Sequence, residues 1–173
     1  MPSKRYVYSW VKSPVGRLQL IASDEGLAGL LWANERPSPL RSSLDSEDND
    51  NAILVEAARQ LDEYFDGRRK HFALTLDFTG TPFQRQVWDA LLTIPFGETR
   101  SYAQIAQQIG RPNAVRAVGA ANGANPIAIV APCHRVIGSS GQLTGFGGGL
   151  DVKEYLLALE GARLPIHALK VRG

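Results

Sequence analysis

The stretch Ser101-Tyr-Ala-Gln-Ile-Ala-Gln-Gln-Ile-Gly110-Arg-Pro-Asn-Ala-Val-Arg116-Ala-Val-Gly-Ala-Ala121 sets the architecture of the second half of the chain. Ser101 and Gln104 form a capping-box pattern, and Tyr102, Ile105, Ala106 and Ile109 share one face of the helix that it opens. Gly110-Arg111-Pro112 is a tight break, after which a further helix is expected over about 113–121, striped by Val115, Val118 and Ala121. Two short helices about a glycine-containing turn match a helix-turn-helix, although plain helical hairpins share that pattern. Arg116 stands among small residues, where a phosphate contact or a wedge into the base stack suits it as well as a solvated position does.

Upstream, Thr81, Pro82 and Gln84 cap another helix carrying Phe83, Val87, Trp88, Leu91 and Leu92 at helical spacing, ended by Pro95 and Gly97. Before it the chain reads differently. Runs at 6–11, 18–22 and 27–32, parted by turn residues, predict an antiparallel meander. Residues 33–51 carry two prolines, three serines from Ser42 to Ser46 and four acidic residues from Asp45 to Asp50, and read as a solvated, flexible loop. A helix over 52–65, stopped by Gly67, and a strand over 72–78 complete a small α/β unit with no gathering of catalytic residue types.

Downstream of the helix-turn-helix, Asn122-Gly-Ala-Asn125-Pro126 reads as a turn and 127–131 as an extended apolar run leading into Pro132-Cys133-His134-Arg135. The glycine-rich stretch that follows has no Walker lysine and is not expected to cradle a nucleotide phosphate. A last helix opens at Asp151 and Glu154 and ends at Glu160-Gly161, where an anion works against the helix dipole and calls for a partner. Residues 162–173 read as a weakly structured basic tail. The organisation expected is 1–78, 79–161 and that tail.

Composition narrows the chemistry. The chain of 173 residues, 44% apolar, can bury one ordinary core or two small ones. Its single cysteine excludes an internal disulfide and a multi-thiolate zinc site, and a free thiol suits a reducing compartment, so a cytoplasmic protein without metal is expected. No apolar stretch approaches about 18 residues, and no membrane role is expected. Residues 1–78 hold 10 Lys+Arg against 12 Asp+Glu, and 79–173 hold 9 against 5, a weak bias toward an anionic partner in the second half.

A lone cysteine is more often a small buried hydrophobe than a nucleophile. At Cys133 the preceding proline and the adjoining His134 and Arg135 argue otherwise, since an inert thiol needs no such neighbours. Nucleophilic use requires a base and a group to orient it, for which His134 and Glu160, 27 positions beyond Cys133, are the candidates. On an extended strand neighbouring side chains diverge, so His134 is expected to reach the sulfur through a bend or a bridging water. A relay of this composition serves a cysteine hydrolase, a redox thiol or a thiol that accepts a group from a substrate. The helix-turn-helix and Arg116 favour the third, and a lesion-binding module without chemistry is the alternative from another class.

Pro132-Cys-His-Arg-Val136, preceded by Arg116-Ala-Val-Gly119 and Asn125-Pro126 and followed by Gly147-Gly-Gly-Leu-Asp-Val-Lys-Glu154 and Glu160-Gly161, resembles the O6-alkylguanine-DNA alkyltransferases of bacterial constitutive type. The resemblance is close over 81–161, Tyr102 and the Gly110-Arg-Pro turn included, and looser before it. It implies an α+β protein in which a small ribonuclease H-like α/β domain with an antiparallel sheet precedes a mainly helical domain. It further implies direct-reversal repair of double-stranded DNA containing O6-alkylguanine, and of O4-alkylthymine, by a monomer without cofactor that binds the minor groove, flips the nucleotide and acts once. Cooperative assembly on the DNA is left open. Cys133 is the implied acceptor, His134 its base through a water, Glu160 the orienting carboxylate and Tyr102 the donor to the leaving guanine. Arg116 is the implied finger, with Ala114, Ala117 and Ala121 lining the DNA-facing helix. Asn125 is the implied hinge, and Val136, Phe146 and Gly147 line the pocket. Phe146 and Gly147 replace a Tyr and a Ser of other members, which leaves room for longer alkyl groups, and Tyr155 replaces a frequent Trp.

Overall fold

The computed structural model describes residues 4–33, 38–141 and 146–162. They form an α+β protein of two compact units, 1–79 and 80–173. In the first unit β1 (Tyr6–Val11), β2 (Leu18–Ser23) and β3 (Gly26–Trp32) pair antiparallel in sequence order. The turn between β1 and β2 closes through reciprocal 3.1 Å bonds between Ser13 and Gly16. β2 and β3 are buried at every residue, so both faces of the sheet must be covered.

The cover differs from the expected loop. Residues 38–47 fold into α1 (Pro39–Ser42), capped by Ser38, and β4 (Leu44–Glu47), which pairs parallel to β1 and completes a sheet of order β3-β2-β1-β4. Leu40 and Leu44 pack against Tyr6, Ile21, Ala28 and Leu31. Arg41 donates to the Gln19 Oε1 at 2.9 Å and to the Trp32 carbonyl at 2.9 Å. Two leucines and one arginine thus anchor a segment whose average composition is polar and acidic. Residues 34–37 of the expected loop lie outside those described.

α2 (Ala52–Phe65), capped by the Asn51 side chain, has the expected bounds and packs on β2 and β3. The strand expected over 72–78 is reduced to a single parallel bridge between Leu76 and Leu27. Side chains take the place of a partner strand: the Gln60 amide accepts from the Ala73 N–H at 2.8 Å and donates to its carbonyl at 3.1 Å. Lys4 donates to Asp77 at 2.9 Å.

In the second unit α3 (Pro82–Leu91) and α4 (Tyr102–Gln108) begin with complete capping boxes, Thr81 with Gln84 and Ser101 with Gln104. α5 (Val115–Gly123) starts two residues later than expected, because Arg111 to Ala114 form a turn closed by the Ala114 N–H on the Arg111 carbonyl at 2.9 Å. α3, α4 and α5 pack on one another, and buried Trp88 donates its indole N–H to the Ala121 carbonyl at 2.8 Å. β5 (Arg100–Ser101) pairs parallel with β6 (Val136–Ile137), and α6 (Leu150–Leu159) follows.

The run 127–131 is not extended. Its amides close tight local turns, Ala131 on the Ile127 carbonyl at 3.0 Å and Val130 on that of Ala128 at 2.8 Å, and Ile129 takes a positive φ of 70°. All five residues are buried, so the apolar run marks a packed corner and not a strand.

The close approach of residues 75–77 to β3 depends on Gly26, where an added Cβ would stand 2.6 Å from the Thr75 carbonyl oxygen. Gly26→Ala is expected to lower the unfolding free energy by about 1–3 kcal/mol, read as a lower urea midpoint, while an unchanged midpoint would show that this edge yields freely.

Candidate active site

Cys133, His134 and Arg135 form one turn of 3-10 helix, not the extended strand that the apolar run suggested. Its entry is pinned by two asparagines. Asn125 donates from Nδ2 to the Ala131 carbonyl at 2.8 Å and accepts the Ile127 N–H at 3.0 Å, while Asn122 donates to the Cys133 carbonyl at 3.4 Å. The Val136 N–H returns to the Cys133 carbonyl and closes the turn. Cys133 is buried, 6% exposed, so a substrate atom reaching its sulfur leaves water behind.

His134 is fully buried, with Nε2 2.8 Å from the Glu160 Oε2. Arg135 holds the same carboxylate, donating from Nε to Oε1 at 2.8 Å and from Nη2 to Oε2 at 2.9 Å. This answers the anion at the end of α6: its partners come from the cysteine turn. Burial alone would raise the Glu160 carboxyl, but the bonds from His134 and Arg135 outweigh it and hold the group at about 2. Burial also dominates at His134 and pushes its imidazolium below the ordinary value despite Glu160. The neutral ring therefore donates Nε2–H to an ionised carboxylate and keeps Nδ1 as a bare acceptor. That Nδ1 is buried and has no hydrogen-bond partner among the described residues.

Lys153 was not singled out in the sequence, yet it is fully buried beside this turn. Its Nζ donates to the Val136 carbonyl at 2.6 Å and lies 5.9 Å from the Phe146 ring centroid. Burial lowers its ammonium to about 8, against an opposing pull from Cys133. The signal was present in the spacing: Lys153, Leu156, Leu157 and Glu160 recur at i, i+3, i+4 and i+7, the inward face of α6.

The expected pocket residues Val136 and Phe146 thus meet at Lys153, with Val136 buried and Phe146 half-buried, and Gly147 is exposed beside them. Part of the glycine-rich stretch, 142–145, lies outside the described residues, as does the tail beyond 162. Tyr102 begins α4 with its ring over Gly119 of α5, where a Cβ would sit 3.8 Å from the ring. At the start of α5, Arg116 and Ala117 are exposed and the N-cap Ala114 is half-buried. Ala121 corrects the expectation of a DNA-facing residue: it is 3% exposed and its carbonyl is taken by Trp88.

Among the described residues no three His, Cys, Asp or Glu side chains cluster as metal ligands, and no helix is long and apolar enough to cross a membrane.

Residues 6–78 match the family described as 6-O-methylguanine DNA methyltransferase, ribonuclease-like domain, and 82–162 match its DNA binding domain. The chain is 53% identical over 158 residues to the methylated-DNA--protein-cysteine methyltransferase of Mycolicibacterium paratuberculosis, covering 91% of this chain and 94% of that one. A protein of the same name from Methanosarcina acetivorans is 48% identical over 90% of this chain and 98% of that one. Among solved structures, OGT of Mycobacterium tuberculosis in complex with DNA superposes with a TM-score of 0.82 at 50% identity, covering 89% and 92% of the two chains.

The depressed Lys153 ammonium has a measurable signature. Between about 8 and its ordinary 10.5 the unfolded chain binds the proton that the folded chain has released, so stability rises with pH across that window. Against Lys153→Met, the wild-type chain is expected to gain on the order of 3 kcal/mol of unfolding free energy from pH 8 to 10.5, and parallel curves for the two proteins in urea would contradict the burial of a charged amine.

Proposed function

The chain belongs to the 6-O-methylguanine DNA methyltransferase family, and we propose that its Cys133 accepts the alkyl group of O6-alkylguanine in double-stranded DNA, once per molecule. The protein is a DNA-repair methyltransferase of the methylated-DNA--protein-cysteine type. The observation that carries the assignment of roles is the buried relay beside the only cysteine: a neutral His134 with a bare Nδ1, oriented by ionised Glu160.

The reaction follows from those groups. Cys133 gives its proton to His134 Nδ1 through a bridging water, and the thiolate attacks the alkyl carbon. The S–C bond forms as the C–O6 bond breaks, and the departing electron pair stays on guanine. Guanine is a poor leaving group unless that charge is met, which is the role of a proton from the Tyr102 hydroxyl. Lys153, held on the Val136 carbonyl, adds a fixed positive charge in a site of low dielectric. The product is a thioether that water does not hydrolyse, so the thiol is not regenerated and each molecule turns over once.

A base stacked in a duplex cannot reach a cysteine that is 6% exposed, so the nucleotide is flipped out. We assign the DNA surface to the start of α5, with Ala114 and Ala117 close to the backbone in the minor groove and exposed Arg116 filling the vacated place in the stack. Asn125 holds the hinge between α5 and the cysteine turn, and Val136, Phe146 and Gly147 line the base pocket. Residues 79–161 carry every reacting group, and residues 1–78 act as structural support. O4-alkylthymine, smaller but alike at the reacting atom, is a second substrate. A monomer acting on DNA in the cytoplasm suffices for this scheme.

Incubation with duplex containing O6-methylguanine is expected to add the mass of one methylene to Cys133 and no more, by intact-protein and peptide mass spectrometry. Unmodified protein after excess substrate would mean lesion binding without chemistry. Arg116→Ala is expected to slow transfer from duplex DNA by more than about tenfold while changing reaction with free O6-benzylguanine by less than about twofold, and equal losses on both would place Arg116 in support of the fold instead.

A further inference from the structure

The relay described above assigns work to His134 and Glu160 and none to Arg135, yet Arg135 is the most heavily bonded side chain of the turn. It is 6% exposed. Beyond its two bonds to Glu160, Nη1 donates to the Ile94 carbonyl at 2.6 Å, and the guanidinium carbon lies 5.8 Å from the centroid of the Phe96 ring. A guanidinium gripping both oxygens of a carboxylate fixes the plane of that carboxylate, which one ammonium cannot do. Because Glu160 Oε2 is also the partner of His134 Nε2, the plane that Arg135 imposes is the plane that aims Oε2 at the imidazole.

We propose that Arg135 is a positioning residue for alkyl transfer: it orients the Glu160 carboxylate on His134 and, as a fixed cation sharing that carboxylate, keeps His134 in the neutral Nε2–H form whose Nδ1 can take the Cys133 proton. The proposal rests on the reading of Cys133 and His134 as acceptor and base, and extends it to the residue that sets the state of the base.

The electrostatic argument is a count of neighbours. Glu160 and Lys153 act on His134 from α6, and Arg135 acts from its own turn, beside the titratable Cys133. α3 also packs on the turn, but its charged residues Arg85 and Asp89 are exposed. One anion and two cations therefore act on His134. If Glu160 faced His134 alone, its pull toward imidazolium would oppose burial undivided, and a base that holds its proton accepts none. Burial is the largest influence holding the ring neutral, and Arg135 adds to it by sharing the carboxylate. The bond to Ile94 adds a mechanical component, since Ile94 lies in the connection between α3 and β5, and β5 pairs with the strand that begins directly after Arg135.

The test is the pH dependence of single-turnover transfer from free O6-benzylguanine by Arg135→Gln and Arg135→Lys, with thermal unfolding as a control. Arg135→Gln is expected to react about tenfold more slowly at neutral pH. Its acid limb should move up by about one pH unit, so that the deficit shrinks as pH rises. Arg135→Lys restores the charge without the two-point grip and is expected to lie between Arg135→Gln and wild type in both rate and limb. A rate reduced evenly at every pH with the limb unmoved, or a wild-type profile, overturns the proposal. Should Arg135→Gln not fold, titration of the His134 imidazole by nuclear magnetic resonance in Arg135→Lys decides: a midpoint above wild type supports the proposal, and an equal midpoint overturns it. His134→Ala in parallel tests the underlying reading. If it transfers at the wild-type rate the base assignment itself fails, whereas a slow His134→Ala beside an unmoved Arg135→Gln limb sinks the role of Arg135 alone.

Discussion

The Glu160 carboxylate is buried at the C-terminal end of α6, where the helix dipole and the loss of water both oppose an anion. Taking an ionised carboxylate out of water costs several kcal/mol, and at this position only a full set of charge-assisted bonds offsets that cost. Arg135 on both oxygens and His134 on one supply such bonds from a three-residue turn. The end of α6, the shape of the cysteine turn and the orientation of the imidazole are thereby a single arrangement, and no one of them can change while the others keep their partners.

The same helix carries the opposite charge on the same inward face. Lys153 and Glu160 lie two turns apart, separated by the buried Leu156 and Leu157, so α6 brings one ammonium and one carboxylate to the two sides of the cysteine turn. With Arg135 the buried site holds two cations against one anion. An apolar surrounding strengthens such fixed charges, and their sign favours negative charge at the cysteine turn. Stability has been given up for this, because an aliphatic residue in place of Lys153 would need no desolvation.

Much of this was legible in the residues. Capping boxes at Thr81 and Ser101, periodic apolar stripes and the glycine stops placed α2, α3 and α4, because these signals act within one or two turns of helix. The contact of His134 with Glu160 was legible, because both are residue types that an inert segment has no use for. What escaped was decided by tertiary contact. Residues 38–47 are polar on average, and only the anchoring of Leu40, Arg41 and Leu44 makes them a layer of the sheet. The run 127–131 is apolar because it is enclosed, and its five side chains say nothing about whether the backbone extends or coils. Ala121 sits on the helix that bears Arg116, but a 3% exposure separates the core side of that helix from its accessible side. Lys153 hid behind its charge, which outweighed its position in the spacing of α6.

The ladder between β5 and β6 is only two residues long. Ser101 pairs with Ile137 and, through its side chain, caps the first turn of α4, while Arg100 pairs with Val136, the residue that closes the cysteine turn. Tyr102 thus begins its helix one peptide away from a strand whose neighbour begins one peptide away from Arg135. In mechanical language the ladder is a fulcrum with very short arms on both sides. A displacement of the first turn of α4 has almost no slack chain in which to dissipate before it is felt at the cysteine turn, so the positions of Tyr102 and Cys133 are geared together by two residues.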